Sequence, residues 1–280
     1  MGYFVTGATG FIGRNLIELL LEREGTVYVL VREGSKGRLS ELRARWGADE
    51  DRVVGIVGDL SQPCLGVSED DLERLTGEVD HLFHLAAIYD MTADAESQRV
   101  ANVEGTRHMV EFAERVDAGR VHMVSSIAAA GLYEGTWRED MFDEAQNLET
   151  HPYFLTKHES EGVVREELDR PWRVYRPGIV VGNSETGEMD KVDGPYYFFK
   201  LIRRIRNTVP QWIPMPGVQG REINIVPVDF VVRAMDHIAH LDGLDGRAFH
   251  LTDPKPPTAG EVIDIFARAA HAPQSSVRLP

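Results

Sequence analysis

The stretch Val5-Thr6-Gly7-Ala8-Thr9-Gly10-Phe11-Ile12-Gly13 decides how this chain folds. It follows a short apolar run and opens onto Asn15-Leu16-Ile17-Glu18-Leu19-Leu20-Leu21, so it reads as a strand, a tight turn and a helix N-terminus. Gly7 permits the turn, Gly10 lets the backbone approach a pyrophosphate, and Gly13 lets the helix pack closely on the sheet. The unpaired amides at the start of such a helix form an anion site. The residues from Gly7 through Thr9, Gly10, Phe11 and Ile12 to Gly13 are therefore the expected dinucleotide cradle.

About one βαβ unit downstream, Thr26-Val27-Tyr28-Val29-Leu30-Val31 reads as a second strand, and Arg32 follows directly. An acidic residue near this point suits the ribose 2′-hydroxyl of NAD, whereas an arginine suits the 2′-phosphate of NADP. Arg32 favours NADP. Lys36 and Arg38 are candidate helpers, although solvated loop charges are the plainer reading of both.

Strands and helices then alternate. Leu39 to Trp46 is a charged helix-like stretch, and Arg52 to Leu60 reads as a third strand ending in Asp59, whose carboxylate is placed to accept from an adenine amino group. His81-Leu82-Phe83-His84-Leu85-Ala86-Ala87 reads as a fourth strand, whose small Ala86 and Ala87 let a cofactor lie close. His84, inside this apolar run, is read as structural rather than catalytic. Asn102-Val103-Glu104-Gly105-Thr106 opens a helix through Phe112, and Arg120 to Ser126 forms the fifth strand. The alternation predicts an α/β chain of Rossmann type, a doubly wound parallel sheet with ligands at the carboxyl ends of its strands.

The whole chain narrows the field. Its 280 residues suffice for one large α/β unit with a lobed end. A formal charge of −15 opposes nucleic-acid binding, since a polyanion would be repelled. Cys64 is the only cysteine, which excludes an internal disulfide and a multi-cysteine metal site and fits a reducing, cytoplasmic setting. The first strand begins within a few residues of Met1, so no signal peptide is expected, and no apolar stretch reaches transmembrane length.

The candidate chemistry lies in Tyr153-Phe154-Leu155-Thr156-Lys157. On a helix, Tyr153 and Lys157 share one face, and Ser126 ends the preceding strand. A phenol titrates near 10, too high for easy proton transfer at neutral pH, and a neighbouring ammonium favours its ionised form. Lys157 would do this and hold a nicotinamide ribose. Ser126 would hydrogen-bond a substrate carbonyl oxygen, and Tyr153 would supply the proton.

At this point the chain resembles the extended short-chain dehydrogenase/reductase family over essentially its full length. The resemblance rests on Thr6 to Gly13, Asp59-Leu60, His84 to Ala87, Asn102 to Thr106, Ser125-Ser126, Tyr153 with Lys157, and Arg176-Pro177-Gly178-Ile179-Val180-Val181-Gly182. It implies Ser126, Tyr153 and Lys157 as the catalytic set, with Ser125 the less favoured serine, and adds Leu60, Pro177, Gly178 and Ile179 to the cofactor contacts. A closer similarity, to the N-terminal reductase domain of bacterial fatty acyl-CoA reductases, is suggested by Val124 to Gly131, Arg138 to Phe142, and Gly187 to Lys200. This implies NADPH-dependent reduction of a fatty acyl-CoA, a fatty aldehyde, or both, leading to fatty alcohol, within a longer two-domain protein.

The expected division is a cofactor-binding core over residues 1–182, with 223–252 returning to it, and a smaller substrate-binding lobe from 183–222 and 253–280. In that lobe Tyr196, Tyr197, Phe198, Phe199, Leu201, Ile202 and Ile205 interleave with Lys200, Arg203, Arg204 and Arg206. The mixture suits a greasy tail with a phosphorylated head, or peripheral contact with a membrane surface. It equally suits lobe core with a solvated basic face. The rival readings are a nucleotide-sugar epimerase or dehydratase of the same family, which Arg32 and the greasy segment oppose, and a non-catalytic NADP-sensing protein, which predicts a degraded triad.

Overall fold

The computed structural model describes residues 1–86, 95–189, 196, 198–213 and 215–279. In chain order the elements are β1 (Gly2–Thr6), α1 (Phe11–Leu21), β2 (Thr26–Val31), α2 (Lys36–Trp46), β3 (Val53–Val57), α3 (Glu69–Leu75) and β4 (His81–His84). They continue with α4 (Ala95–Arg99), α5 (Gly105–Arg115), β5 (Arg120–Val124), α6 (Pro152–Glu167), β6 (Trp172–Pro177) and β7 (Ile179–Val181). The last are α7 (Phe198–Thr208), β8 (Met215–Val218), β9 (Ile225–Pro227), α8 (Val228–Ala239), β10 (Arg247–Leu251), α9 (Ala259–Ala269) and β11 (Ser275–Leu279).

Seven strands form one parallel sheet in the order β10-β6-β5-β4-β1-β2-β3. Such a sheet is covered on both faces, so its central strands carry apolar runs rather than alternation. β1, between β4 and β2, is buried at every residue. On one face Phe4, Leu82, Val121 and Met123 pack with Phe112 and Val116 of the α5 segment and Val163 and Val164 of α6. On the other, Tyr3, Phe83, His81, His122 and Tyr175 stack in a row that reaches His240 beyond α8.

Three strand boundaries differ from the sequence reading, and each difference puts a candidate residue in a loop. β3 stops at Val57, β4 at His84 and β5 at Val124, so Asp59, Ala86 and Ser126 all lie just beyond the sheet. A strand needs a partner in register, and the runs outlast the pairing. Asn102 does not open a helix. The helix begins at Ala95 and passes through a π turn, Val100–Glu104, before α5. Such turns insert one extra residue per turn and re-aim side chains, often at functional sites.

By backbone contacts the chain divides into two units, Met1–Pro177 with Val228–Leu251, and Gly178–Pro227 with Thr252–Pro280. Residues 178–182 and 223–227, assigned to the core from sequence, belong to the second unit. There β7 and β9 form their own two-stranded parallel sheet instead of extending the large one. Gly178 fits against Asn224, where a Cβ would come 2.7 Å from the Asn224 carbonyl oxygen. α9 begins with a capping box in which the Thr258 hydroxyl accepts from the Glu261 amide and the Glu261 carboxylate accepts in return. α7 lays Ile202 against Ala267 of α9, and Phe199 meets Phe266 edge-on with ring centroids 5.1 Å apart.

Candidate active site

Register places the candidate residues of the first unit along one sheet edge. Thr6, His84 and Met123 are consecutive partners across β1, β4 and β5. The glycine turn, Leu85-Ala86 and Ser125-Ser126 therefore leave the sheet side by side, at the carboxyl ends where an open α/β sheet binds ligands. Val31 pairs with Val57 in β2 and β3, so Arg32 and Asp59 emerge together beyond them. The Arg32 Nε lies 3.7 Å from the Asp59 carboxylate. Asp59 Oδ1 accepts from the Ser61 amide and hydroxyl at 2.9 and 2.8 Å. Those bonds, helped by Arg32, hold the Asp59 carboxyl below its usual range despite partial burial.

The glycines divide the labour of the turn. Gly7 takes a left-handed φ of 71°, and a Cβ there would strike the Ala86 amide nitrogen at 2.7 Å. At Gly13 a Cβ would come 2.3 Å from the Gly7 carbonyl oxygen, so helix and turn could not close together. Gly10 is exposed, and only the Gly7 carbonyl oxygen, at 3.2 Å, would be near a Cβ. The Thr9 carbonyl oxygen accepts from the Arg38 guanidinium at 2.9 Å, a contact that no spacing in the sequence foretells. Arg38 thus stands beside the cradle. Lys36 pairs instead with Glu33 at 2.7 Å.

α6 carries the catalytic candidates and is fixed at its start by His151, whose Nδ1 accepts from the Tyr153 amide at 3.1 Å, with Pro152 in the first turn. His151 is absent from the candidates read from sequence because capping histidines have no spacing signature. Tyr153 and Lys157 are 7% and 5% exposed. Ser126 caps the short turn Ile127–Ala130, its hydroxyl accepting from the Ala128 amide at 3.1 Å. This turn packs on α6, where His158 bonds the Ala129 carbonyl at 3.0 Å. The structure therefore brings the segment bearing Ser126 against the helix bearing Tyr153 and Lys157.

Burial pulls the Lys157 ammonium down to about 8, with the Glu161 carboxylate pushing the other way. His84 is enclosed, lowered to about 3 by burial and then by the Lys157 charge. Neutral His84 bonds Thr6 Oγ1 at 3.0 Å and Thr106 Oγ1 at 3.5 Å. Thr106 in turn donates to the Asn102 carbonyl, and the Asn102 amide donates to Thr156 on α6. His84 thus links Thr6, at the start of the glycine turn, through Thr106 and Asn102 to α6.

These residues fit a nicotinamide dinucleotide. The Ser125 hydroxyl is buried and has no hydrogen-bond partner among the described residues, an arrangement that costs about 1–3 kcal/mol unless another group meets it. Leu60 lies against Gly105 at the start of α5, and its carbonyl bonds His108 at 2.8 Å. Pro177 is buried at the end of β6. Gly178 and Ile179 lie in the second unit, where the Ile179 amide donates to Asn224. Ala87 lies outside the described residues. Among the described residues no group of three His, Cys, Asp or Glu side chains is placed to hold a metal. No described helix is long and apolar enough to cross a membrane.

A parallel seven-stranded sheet with this turn and this helix defines an extended short-chain dehydrogenase/reductase. A family model described as male sterility protein matches residues 5–235, and the chain belongs to that family. It is 30% identical over 274 residues to one subunit of the linear gramicidin synthase of Brevibacillus parabrevis, covering 92% of this chain and 5% of that protein. It is 31% identical over 284 residues to the aldehyde reductase lnbA of Aspergillus flavus, covering 94% and 27%. Among solved structures, the terminal R domain from the myxalamid PKS-NRPS biosynthetic pathway superposes with a TM-score of 0.83 at 28% identity, covering all of this chain and 71% of that one. The chain spans less than a third of the length of these curated relatives.

Proposed function

We propose that this chain is an NADPH-dependent reductase of an acyl thioester, of the corresponding aldehyde, or of both in succession. The observation that carries the reading is the burial of Tyr153 and Lys157 on α6, the helix on which the Ser126 turn packs. The relative named as an aldehyde reductase supports reduction of a carbonyl.

Gly7, Thr9, Gly10, Phe11, Ile12 and Gly13 would hold the pyrophosphate, Arg32 the 2′-phosphate, Asp59 and Leu60 the adenine side, and Ala86 and Pro177 the nicotinamide side. Bound there, the reduced nicotinamide supplies hydride to the substrate carbonyl carbon. The Ser126 hydroxyl donates to the carbonyl oxygen and stabilises the charge developing on it. Tyr153 gives its phenolic proton to that oxygen, and the Lys157 ammonium stabilises the phenolate left behind. With an aldehyde the product is an alcohol. With a thioester, collapse of the protonated adduct expels the thiol and leaves an aldehyde.

For the acyl group the reading extends to a long apolar chain carried by coenzyme A. The second unit would be the substrate lobe, because Phe198, Phe199 and Leu201 stay exposed on α7 among Lys200, Arg203, Arg204 and Arg206. A further domain in a longer chain is part of the same proposal, in keeping with the length of the relatives.

The test is oxidation of NADPH, followed by its absorbance, with a long-chain acyl-CoA and with the matching aldehyde. Turnover of either is expected, falling about 10²–10⁴-fold in Tyr153→Phe while NADPH still binds. Absence of turnover with both would overturn the reading and favour a nucleotide-sugar substrate.

A further inference from the structure

One turn beyond Lys157 on α6, and four residues on, lies Glu161, whose side chain has no solvent exposure. A carboxylate so buried is strongly unfavourable unless it is paired on both oxygens. Here it is. The Arg176 guanidinium approaches both oxygens, with Nη2 to Oε1 at 2.5 Å and Nε to Oε2 at 3.0 Å, and Arg165 adds Nε to Oε1 at 2.9 Å. Left to burial alone the Glu161 carboxyl would rise, but the hydrogen bonds and charge of Arg176, then of Arg165, hold it below its ordinary value.

The clamp reaches well beyond one pair. Arg176 lies over the Trp137 ring, 4.1 Å from its centroid, donates to the Glu139 carbonyl and contacts His250. Arg165 lies over Phe142 and Trp172. The loop that follows Ser126, the strands β6 and β10, and α6 are thereby joined at one carboxylate. That is more charge than packing alone requires, since apolar side chains of similar volume are often as stable at such positions.

Building on the reading of Lys157 as the partner of Tyr153, we propose that Glu161 is a positioning residue, a buried carboxylate held by two arginines one helical turn from Lys157 that keeps the Lys157 side chain charged. Among the described residues, His84 of β4, which is neutral, also feels the Lys157 charge, and Tyr153 lies one turn earlier on α6. The remaining elements packed on α6 bring Glu96, Arg99, Glu104 and Arg107, which pair with one another and with Glu167, then His108, Glu111, Glu114 and Arg115 of α5, Arg173 and Tyr175 of β6, and the exposed Glu149. Glu161 is the buried anion of the set, and it acts on Lys157 across a dry helix face where charge is little screened.

The test reads Lys157 directly. The chain has five lysines, so protein carrying carbon-13 at the lysine ε position gives a simple spectrum in which Lys157→Arg identifies one resonance. In Glu161→Gln the Lys157 titration is expected to move down by about one pH unit, because the anion that favours the ammonium is gone. The alkaline limb of kcat/KM for NADPH oxidation should move down with it, whereas a merely structural loosening lowers the rate at all pH values alike. Glu161→Asp should restore the limb.

Glu161→Gln leaves two buried guanidiniums short of their partner, so Arg165→Gln supplies a variant with less strain on folding. It removes one cation from the clamp, and Lys157 should then titrate about half a unit higher. An unmoved Lys157 resonance in folded Glu161→Gln, or in Arg165→Gln, overturns the proposal. Because the spectrum needs no substrate, a shifted resonance without any turnover would uphold the role of Glu161 and count only against the proposed reaction.

Discussion

Arg38 donates to the Thr9 carbonyl oxygen at 2.9 Å, while Arg32 stands 3.7 Å from Asp59 with three quarters of its side chain in solvent. The two arginines play unequal parts. An exposed pair such as Arg32–Asp59 is worth at most about 1 kcal/mol, so a 2′-phosphate can draw Arg32 away at little cost. A charge-assisted hydrogen bond to phosphate contributes about 1.5–3 kcal/mol. Arg32→Ala is therefore expected to weaken NADPH by about tenfold or more while leaving NADH nearly unchanged. Arg38→Ala should weaken both, because its bond supports the turn itself. Dissociation constants for the two reduced cofactors, read from nicotinamide fluorescence, check this. Equal losses for NADPH and NADH in Arg32→Ala would remove Arg32 from the phosphate.

Between neighbouring strands the same sheet that aligns the site buries an unusual row of histidines. His81 and His122 meet at 2.9 Å, and His122 continues to the Tyr175 hydroxyl at 3.0 Å. Burial, then the nearby His240, lowers His81 to about 4, and burial holds His122 well below its usual value. Together with His84, these groups stay neutral in the folded chain where the unfolded chain takes up protons from about pH 6.5. Their folded values lie below the unfolded ones, so the unfolded state binds more protons in this interval. Stability is then complete above about pH 6.5 and is lost progressively as pH falls toward 4, by up to about 1.4 kcal/mol per pH unit for each histidine. Urea midpoints measured from pH 7 to pH 5 should fall steadily, and less in His122→Gln. A flat profile would show that these rings are solvated.

Elements of this kind also mark how far the sequence can be read. The glycine turn, the strand and helix alternation and the Tyr153–Lys157 pair are local patterns, set by spacing along one element, and they define the sheet and α6. His84 is also legible, as a polar residue inside an apolar run. What cannot be read depends on partners distant in the chain. The pairing of β7 with β9 moves 178–182 and 223–227 out of the core, and the π turn re-aims Asn102 by a single residue. Glu161 carries no signal at all until Arg176, on another element, closes around it.

At the scale of the whole molecule, the two units have different chemistry on their surfaces. The first holds the glycine turn, Ser126, Tyr153 and Lys157 in a chain whose formal charge is −15. The second gathers cations on α7, and Phe199, Ile202, Phe266 and Ala270 line a groove of about 370 Å³ with Arg203 and Arg206 on its rim. Among the described residues no carboxylate pairs with either arginine. An anionic head approaching an acidic protein is repelled almost everywhere, so a local basic rim has a large effect on where it settles. If this groove receives the phosphates of a coenzyme A thioester, Arg203→Glu with Arg206→Glu should raise KM for a long-chain acyl-CoA by about tenfold or more, without changing NADPH affinity. The matching aldehyde, which lacks phosphates, should keep its kinetics. Steady-state rates with both substrates distinguish the outcomes, because equal losses for thioester and aldehyde would mean that the arginines support the apolar groove instead of the phosphates.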